Sequence, residues 1–123
     1  MIELASWPDV EAALIALLDP IATTYETTPA QLTLPLIHVQ AAAGIDDYIT
    51  DQPRVEVTVY ASTRAQARTL AEQARQTILA APGTAPGGVL IDSAVTEVSP
   101  TRIPYDDPDV RRFRAVYRLG VRR

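Results

Sequence analysis

The sequence of 123 residues contains no cysteine and no lysine, and its only histidine is His38. The absence of cysteine excludes disulfides, zinc–thiolate sites, iron–sulfur clusters and thiol catalysis. A metal site or charge relay built on histidine would depend on His38 alone. Because His38 shares a predicted strand face with Leu34, Leu36 and Gln40, we interpret it as a structural residue. We therefore predict no catalytic residue, no metal and no cofactor.

Two other familiar site motifs are also missing. The segment Gly83 to Gly88 lacks the Lys-Ser/Thr pair of a phosphate-binding loop. The acidic run Asp106 to Asp109 lacks the spacing and the central glycine of a calcium-binding loop, so we interpret it as a solvated turn. No pair of carboxylates stands out as a catalytic pair, and we predict that the protein is not an enzyme.

Long hydrophobic runs are absent as well. The longest one near the start, Ala12 to Leu18, is far shorter than the roughly 20 residues that a membrane span needs. Asp9 and Glu11 precede it, where a signal peptide would be positively charged. With 47% hydrophobic and 21% charged residues, we expect one soluble globular domain over residues 1–123, made in the cytoplasm, with no membrane partner.

Apolar residues at helical spacing predict two helices. The first covers about residues 8–19, starts with a capping arrangement of Ser6 and Asp9, and ends before Pro20. The second covers about residues 64–81 and starts with a capping box from Thr63 to Gln66. Its buried side is rich in alanine, which indicates close packing against a sheet.

Alternating or β-prone segments predict the strands. They cover about residues 22–28, 34–41, 54–61 and 89–98, with loops over 44–53 and 99–109 and a last strand near the end of the chain. The order α-β-β-β-α-β-β predicts an α+β fold, in which two helices pack on a four- to five-stranded, mostly antiparallel sheet.

Positive charge is concentrated at the end of the chain. Residues 111–123 carry a net charge of +6 and the rest of the chain −10. Alternation in the last strand places Arg112, Arg114, Arg118 and Arg122 opposite an apolar face. A nucleic-acid surface, a subunit contact or a solvated strand face would each fit this pattern. The low pI of 4.8 and the few aromatic residues favour pairing with carboxylates of another subunit. The candidate interface residues are Arg111, Arg112, Arg114, Arg118, Arg122 and Arg123.

Three segments give the sequence a family resemblance. Arg-Val-Glu-Val-Thr-Val-Tyr-Ala-Ser-Thr-Arg (54–64) leads into an alanine-rich helix, and a basic strand follows Tyr-Asp-Asp-Pro-Asp at 105–109. Over residues 5–122 this layout resembles the tail terminator (tail-completion) proteins of long-tailed bacteriophages of the siphophage type. The arginine-only composition is typical of a GC-rich genome and suggests an actinobacterial phage.

The resemblance implies a structural virion protein at the tail–neck junction. Such proteins form a homohexameric ring that caps the head-proximal end of the tail tube, stops its polymerisation and joins the tail to the connector. The implied partners are further copies of the chain, the tail tube protein and a neck or stopper protein. Genomic DNA would pass through the lumen without specific binding. A neck or stopper protein remains an alternative, as does, less favoured, a small nucleic-acid-binding module.

A ring through which DNA slides should not grip phosphate, so acidic residues are expected around its channel. We hypothesise that acidic loop residues and adjacent tyrosines form the channel rim or loop contacts. These candidates are Asp46, Asp47, Tyr48, Asp51, Tyr105, Asp106 and Asp107.

Overall fold

The computed structural model describes residues 8–46 and 50–122, and its elements follow the predicted order α-β-β-β-α-β-β. The helices are α1 (Val10–Leu18) and α2 (Arg64–Leu79), and a short 3-10 turn covers Pro86–Gly88. The strands are β1 (Thr23–Tyr25), β2 (Leu36–Asp46), β3 (Thr50–Ala61), β4 (Ile91–Ile103) and β5 (Arg111–Arg122).

The five strands form one sheet in the order β1-β2-β3-β5-β4. The short β1 pairs with β2 in parallel, and every other neighbouring pair is antiparallel. α1 contacts β1 and β2, whereas α2 contacts β3, β5 and β4. Both helices therefore cover the same face, and the predicted α+β architecture is confirmed.

Both helices begin at a side-chain cap. Asp9 is the N-cap of α1, since its carboxylate accepts a hydrogen bond from the Ala12 amide at 3.1 Å. Ser6, the predicted partner in this cap, lies outside the described residues. Thr63 caps α2 as predicted, accepting from the Gln66 amide at 3.1 Å. Within the described part of the chain, no helix has the length and apolar character needed to cross a bilayer.

The core lies between the helices and the covered sheet face. Alternate residues of β3 and β5 are buried there against Leu14, Leu18 and Ile78 of the helices. Alanines at positions 67, 71 and 74 are also buried, and their small side chains let α2 approach the sheet closely. Each fully buried large aliphatic side chain contributes roughly 1.5–3 kcal/mol through removal from water.

Two predicted loops are partly strand, so those boundaries are wrong. In place of a loop over 44–53, β2 and β3 continue into a hairpin, with Ile45 opposite Gln52 and Asp46 opposite Asp51. These residues are held in strand conformation by pairing between β2 and β3, which cannot be recognised from the local composition of either segment. β4 likewise runs through Pro100 to Ile103, because an edge strand needs no outward-facing backbone donor at a proline. In contrast, β1 has only three residues where 22–28 was predicted.

Candidate functional site

The sheet surface opposite the helices, here called the open face, carries the arginines of β5. Arg112, Arg114, Arg118 and Arg122 alternate with buried core residues along that strand. Cross-strand register brings residues of β3 and β4 onto the same side. The predicted segregation of arginine from core on this strand is confirmed.

Glu97 of β4 joins two arginines that would otherwise repel each other. Arg54 and Arg118 are direct cross-strand partners, and like charges in such positions are destabilising. Arg54 Nε donates to Glu97 Oε1 at 2.7 Å, and Arg118 Nη2 donates to Oε2 at 3.2 Å. The hydrogen bond from Arg54 lowers the pKa of Glu97; desolvation acts in the opposite direction, and Arg118 adds to the lowering. The carboxylate is therefore ionised at neutral pH.

Two irregularities of β4 place its acidic residues beside arginines. The register with β5 shifts between Thr96 and Val98, which makes Glu97 an extra residue in β4. A second shift makes Asp92 the extra residue at the beginning of the strand, and its Oδ2 accepts from Arg122 Nε at 3.0 Å. β-Bulges re-aim side chains, so both acids reach arginines of the neighbouring strand.

A further ion pair completes this charge network. Arg114 Nη1 lies 3.5 Å from Glu56 Oε1 of β3. The four arginines Arg54, Arg114, Arg118 and Arg122 are thus each paired with a carboxylate of their own chain. These pairs are accessible to solvent, with 30% to 58% of each side chain exposed in the Arg114 and Arg122 pairs. Exposed ion pairs add little to stability and weaken with salt.

Arg112 has a different environment at the beginning of β5. Its Nη2 donates to the Pro104 carbonyl at 2.9 Å, and its guanidinium carbon lies 5.1 Å from the centroid of the Tyr105 ring. The ring of Tyr105 packs edge-to-face against the ring of Tyr60, with 5.8 Å between the two centroids. Cation–π and edge-to-face contacts of this kind are stabilising. Arg112 therefore holds the 104–110 loop against the sheet. At this end the open face is covered by a small hydrophobic cluster of Leu36, Tyr60 and Val110.

Of the other two arginine candidates, Arg111 does not belong to the open face. Arg111 has the strand parity of the core, and its guanidinium donates to the carbonyls of Pro108 and Val110. Arg123 lies outside the described residues. The paired arginines thus comprise three of the six predicted interface residues, together with Arg54.

The channel-rim candidates lie at opposite ends of the sheet. Asp46 and Asp51 are opposite each other in the β2–β3 hairpin, at the end where β5 finishes. The exposed Asp106 and Asp107, and the loop residue Tyr105 before them, lie at the end where β5 starts. Asp47 and Tyr48 lie outside the described residues. About ten residues of β3 separate the two groups, roughly 33 Å at strand rise.

His38 is half-buried on β2, where it pairs in register with Tyr25 and Thr58. Among the side chains that the structure describes, no three or more of His, Asp and Glu come together as potential metal ligands. A depression of about 190 Å³ on the open face is lined by Gln40, Ala42, Arg54, Glu56 and Val116. Neither Arg54 nor Glu56 was predicted as a site residue. The alternation of the 54–61 segment, which places both residues opposite its valines, is the sequence signal that could have identified them.

Fold and surface together define a structural domain of the α+β class that presents an ion-paired sheet face. The family model described as Tail completion protein gp17 matches residues 5–122, so the chain belongs to that family. It is a structural tail protein of the virion, as the resemblance indicated.

A solved structure shares the fold. A chain of the virion of a native gene transfer agent (GTA) particle superposes with a TM-score of 0.58 at 14% sequence identity. The match covers 88% of this chain and 86% of that chain. No curated protein matches this sequence.

Proposed function

We propose that this protein forms a homohexameric ring that caps the head-proximal end of the phage tail tube. The ring stops tube polymerisation and joins the tail to the neck or stopper protein of the connector. Membership of the tail completion family supports this proposal. The chain acts without a cofactor and without catalysis.

The observation that carries the proposal is the ion-paired open face. Arg114 and Arg118 are held by Glu56 and Glu97 of their own chain in solvent-accessible pairs. Because such pairs are weak, carboxylates of a neighbouring copy can take their place at low cost. Arginine makes directional, two-pronged contacts with carboxylates, which suits a fixed angle between subunits. In a head-to-tail ring, one face of each subunit meets a different face of the next.

The acidic candidates would then form two rims. Asp46 and Asp51 belong to the hairpin end, and Tyr105, Asp106 and Asp107 to the opposite end. Asp47 and Tyr48, which follow Asp46 in the sequence, are proposed for the first rim. Negative charge at both mouths of the channel would let DNA pass without being held. If the purified ring retained DNA tightly at low salt, this part of the proposal would be wrong.

The interface is tested with an Arg114→Ala, Arg118→Ala double variant. The matched control is Arg64→Ala, which removes an exposed arginine of α2 that lies on the helix side of the fold. Sedimentation velocity and negative-stain imaging should show six-fold rings for the wild type and for the control. The double variant should remain folded, by circular dichroism, and lose the ring. Normal rings from the double variant would contradict the proposed interface.

The role at the tail end is tested by co-sedimentation. We expect the protein to pellet with purified tail tubes that lack it, and to block further addition of tube protein. Pelleting with the portal side of the connector alone would identify a neck protein. A monomer that shifts on DNA would identify a nucleic-acid-binding module.

A further inference from the structure

Beyond Ile91, whose backbone pairs with Gly83 and Thr84, the outer edge of β4 pairs with no other strand in the part of the chain that the structure describes. β4 has thirteen residues and is the last strand of the sheet. The opposite edge is protected, because β1 covers the first part of β2 and Glu11 of α1 accepts a hydrogen bond from the Ala41 amide at 2.8 Å. An uncovered strand edge offers unpaired backbone donors and acceptors to another extended chain.

Two exposed valines lie on this strand. Val95 is 53% exposed and Val98 is 44% exposed. Among the described residues, Tyr105 is the one other exposed large hydrophobic residue, and it is less exposed than either valine. Both valines face the same side, since their partners on β5 are Arg118 and Val116 of the open face. The strand edge is therefore flanked by apolar surface on that side.

The other side of β4 carries a charged depression. Its volume is about 250 Å³, and it is lined by Arg68, Glu72, Arg75, Ser99, Pro100 and Phe113. Arg75 is paired with Glu72 at 3.2 Å. Arg68 makes no ion pair with any side chain that the structure describes. The depression therefore carries a net positive charge next to a buried phenyl ring.

We infer that the edge of β4 binds an extended segment of a partner protein in which aliphatic and acidic side chains alternate. Successive side chains of a strand point to opposite sides, so one segment reaches both features. Its aliphatic residues would cover Val95 and Val98, and an acidic residue would pair with Arg68. Val95 is the cross-strand partner of Arg118, so this surface adjoins the arginine pairs proposed as the ring interface. The test below measures peptide binding and not assembly, so it does not require a ring.

The test is binding of a fluorescein-labelled peptide of about eight residues in which valine and glutamate alternate, spanning roughly 27 Å as a strand. The matched control peptide alternates valine and lysine. Fluorescence anisotropy should show saturable binding of the Val/Glu peptide and none of the Val/Lys peptide. Hydrogen exchange should show protection of β4 amides on binding, which distinguishes the strand edge from the arginines of β5.

Three variants locate the contact. Val95→Lys and Arg68→Gln should each weaken binding about tenfold, a change of about 1.4 kcal/mol. Arg64→Gln, on the same helix but outside the depression, should bind like the wild type. All three positions are exposed, so folding is retained and can be checked by circular dichroism.

Equal binding of both peptides, or unchanged binding by Val95→Lys, would overturn the inference. A third result would also overturn it: the wild type does not bind the peptide, and Val95→Lys loses self-assembly. The edge of β4 would then bind a second copy of this chain and not a partner protein.

Discussion

Tyr117 makes the stability of the protein sensitive to alkaline pH. Its side chain is fully buried between the sheet and α2, with no exposed surface. Burial raises the pKa of its hydroxyl to about 12; Arg75 lowers it slightly and Glu72 raises it. The neutral form is favoured in the folded state because an isolated phenolate would be charged inside the core.

The size of the effect follows from the two pKa values. The unfolded chain ionises its tyrosines near pH 10, whereas Tyr117 in the folded protein ionises near 12. A raised pKa leaves stability unaffected below pH 10 and lowers it as the pH rises from 10 through 12. The loss reaches about 2.3 kcal/mol at pH 12 and levels off near 2.7 kcal/mol above it.

The assay is urea unfolding of the wild type and of Tyr117→Phe between pH 8 and pH 12. Phenylalanine keeps the buried ring and removes the ionisable group, while all other titrating groups remain the same. The stability of the two proteins should diverge above pH 10, with the wild type losing about 2 kcal/mol more by pH 12. A difference that stays constant across this range would refute the reasoning.

Other substitutions test the packing, the helix cap and the charge network by denaturant unfolding. Gly120→Ala should change the free energy of unfolding by less than about 1 kcal/mol, because the Oγ of the exposed Ser93, 2.5 Å from a Cβ at this position, can rotate away. Ile78→Ala, at a fully buried position, should cost about 2–5 kcal/mol. Thr63→Ala should cost about 1 kcal/mol by removing the α2 cap. Because the pKa of Glu97 is lowered, its ionised form stabilises the fold above pH 4.5. Glu97→Gln should therefore destabilise at neutral pH, by an amount that shrinks as the pH falls below 4.5.

Local patterns predicted the parts of the fold that depend on short-range geometry. Alternating apolar residues in β3 and β5 predicted which side of each strand faces the helices, and this placed Arg114 and Arg118 correctly on the open face. The alanine stripe of α2 predicted its close packing, and Ala67, Ala71 and Ala74 are indeed buried. In each case the information lies within one element, so no knowledge of neighbouring strands is needed.

The acidic half of the charge network could not be predicted in this way. Glu97 and Asp92 occupy bulges, and a bulge breaks the two-residue period from which strand faces are assigned. Their positions depend on how β4 registers with β5, which is a property of the sheet. The prediction of a loop over 99–109 failed because of another property of the sheet. β4 continues past Pro100 because it lies at an edge, and its edge position cannot be read from the strand's own sequence.

The internal ion pairs change how the arginines would contribute to a ring. Assembly would exchange one set of carboxylate partners for another, so the pairs themselves would add little net affinity, and burial of apolar surface would supply most of it. Removing an arginine is different, because it leaves a carboxylate of the neighbouring subunit buried without a partner. Arg114→Ala with Arg118→Ala is therefore expected to abolish the ring even though the pairs contribute little to stability. The arginines would fix which surfaces meet, and at what angle, rather than how tightly they bind.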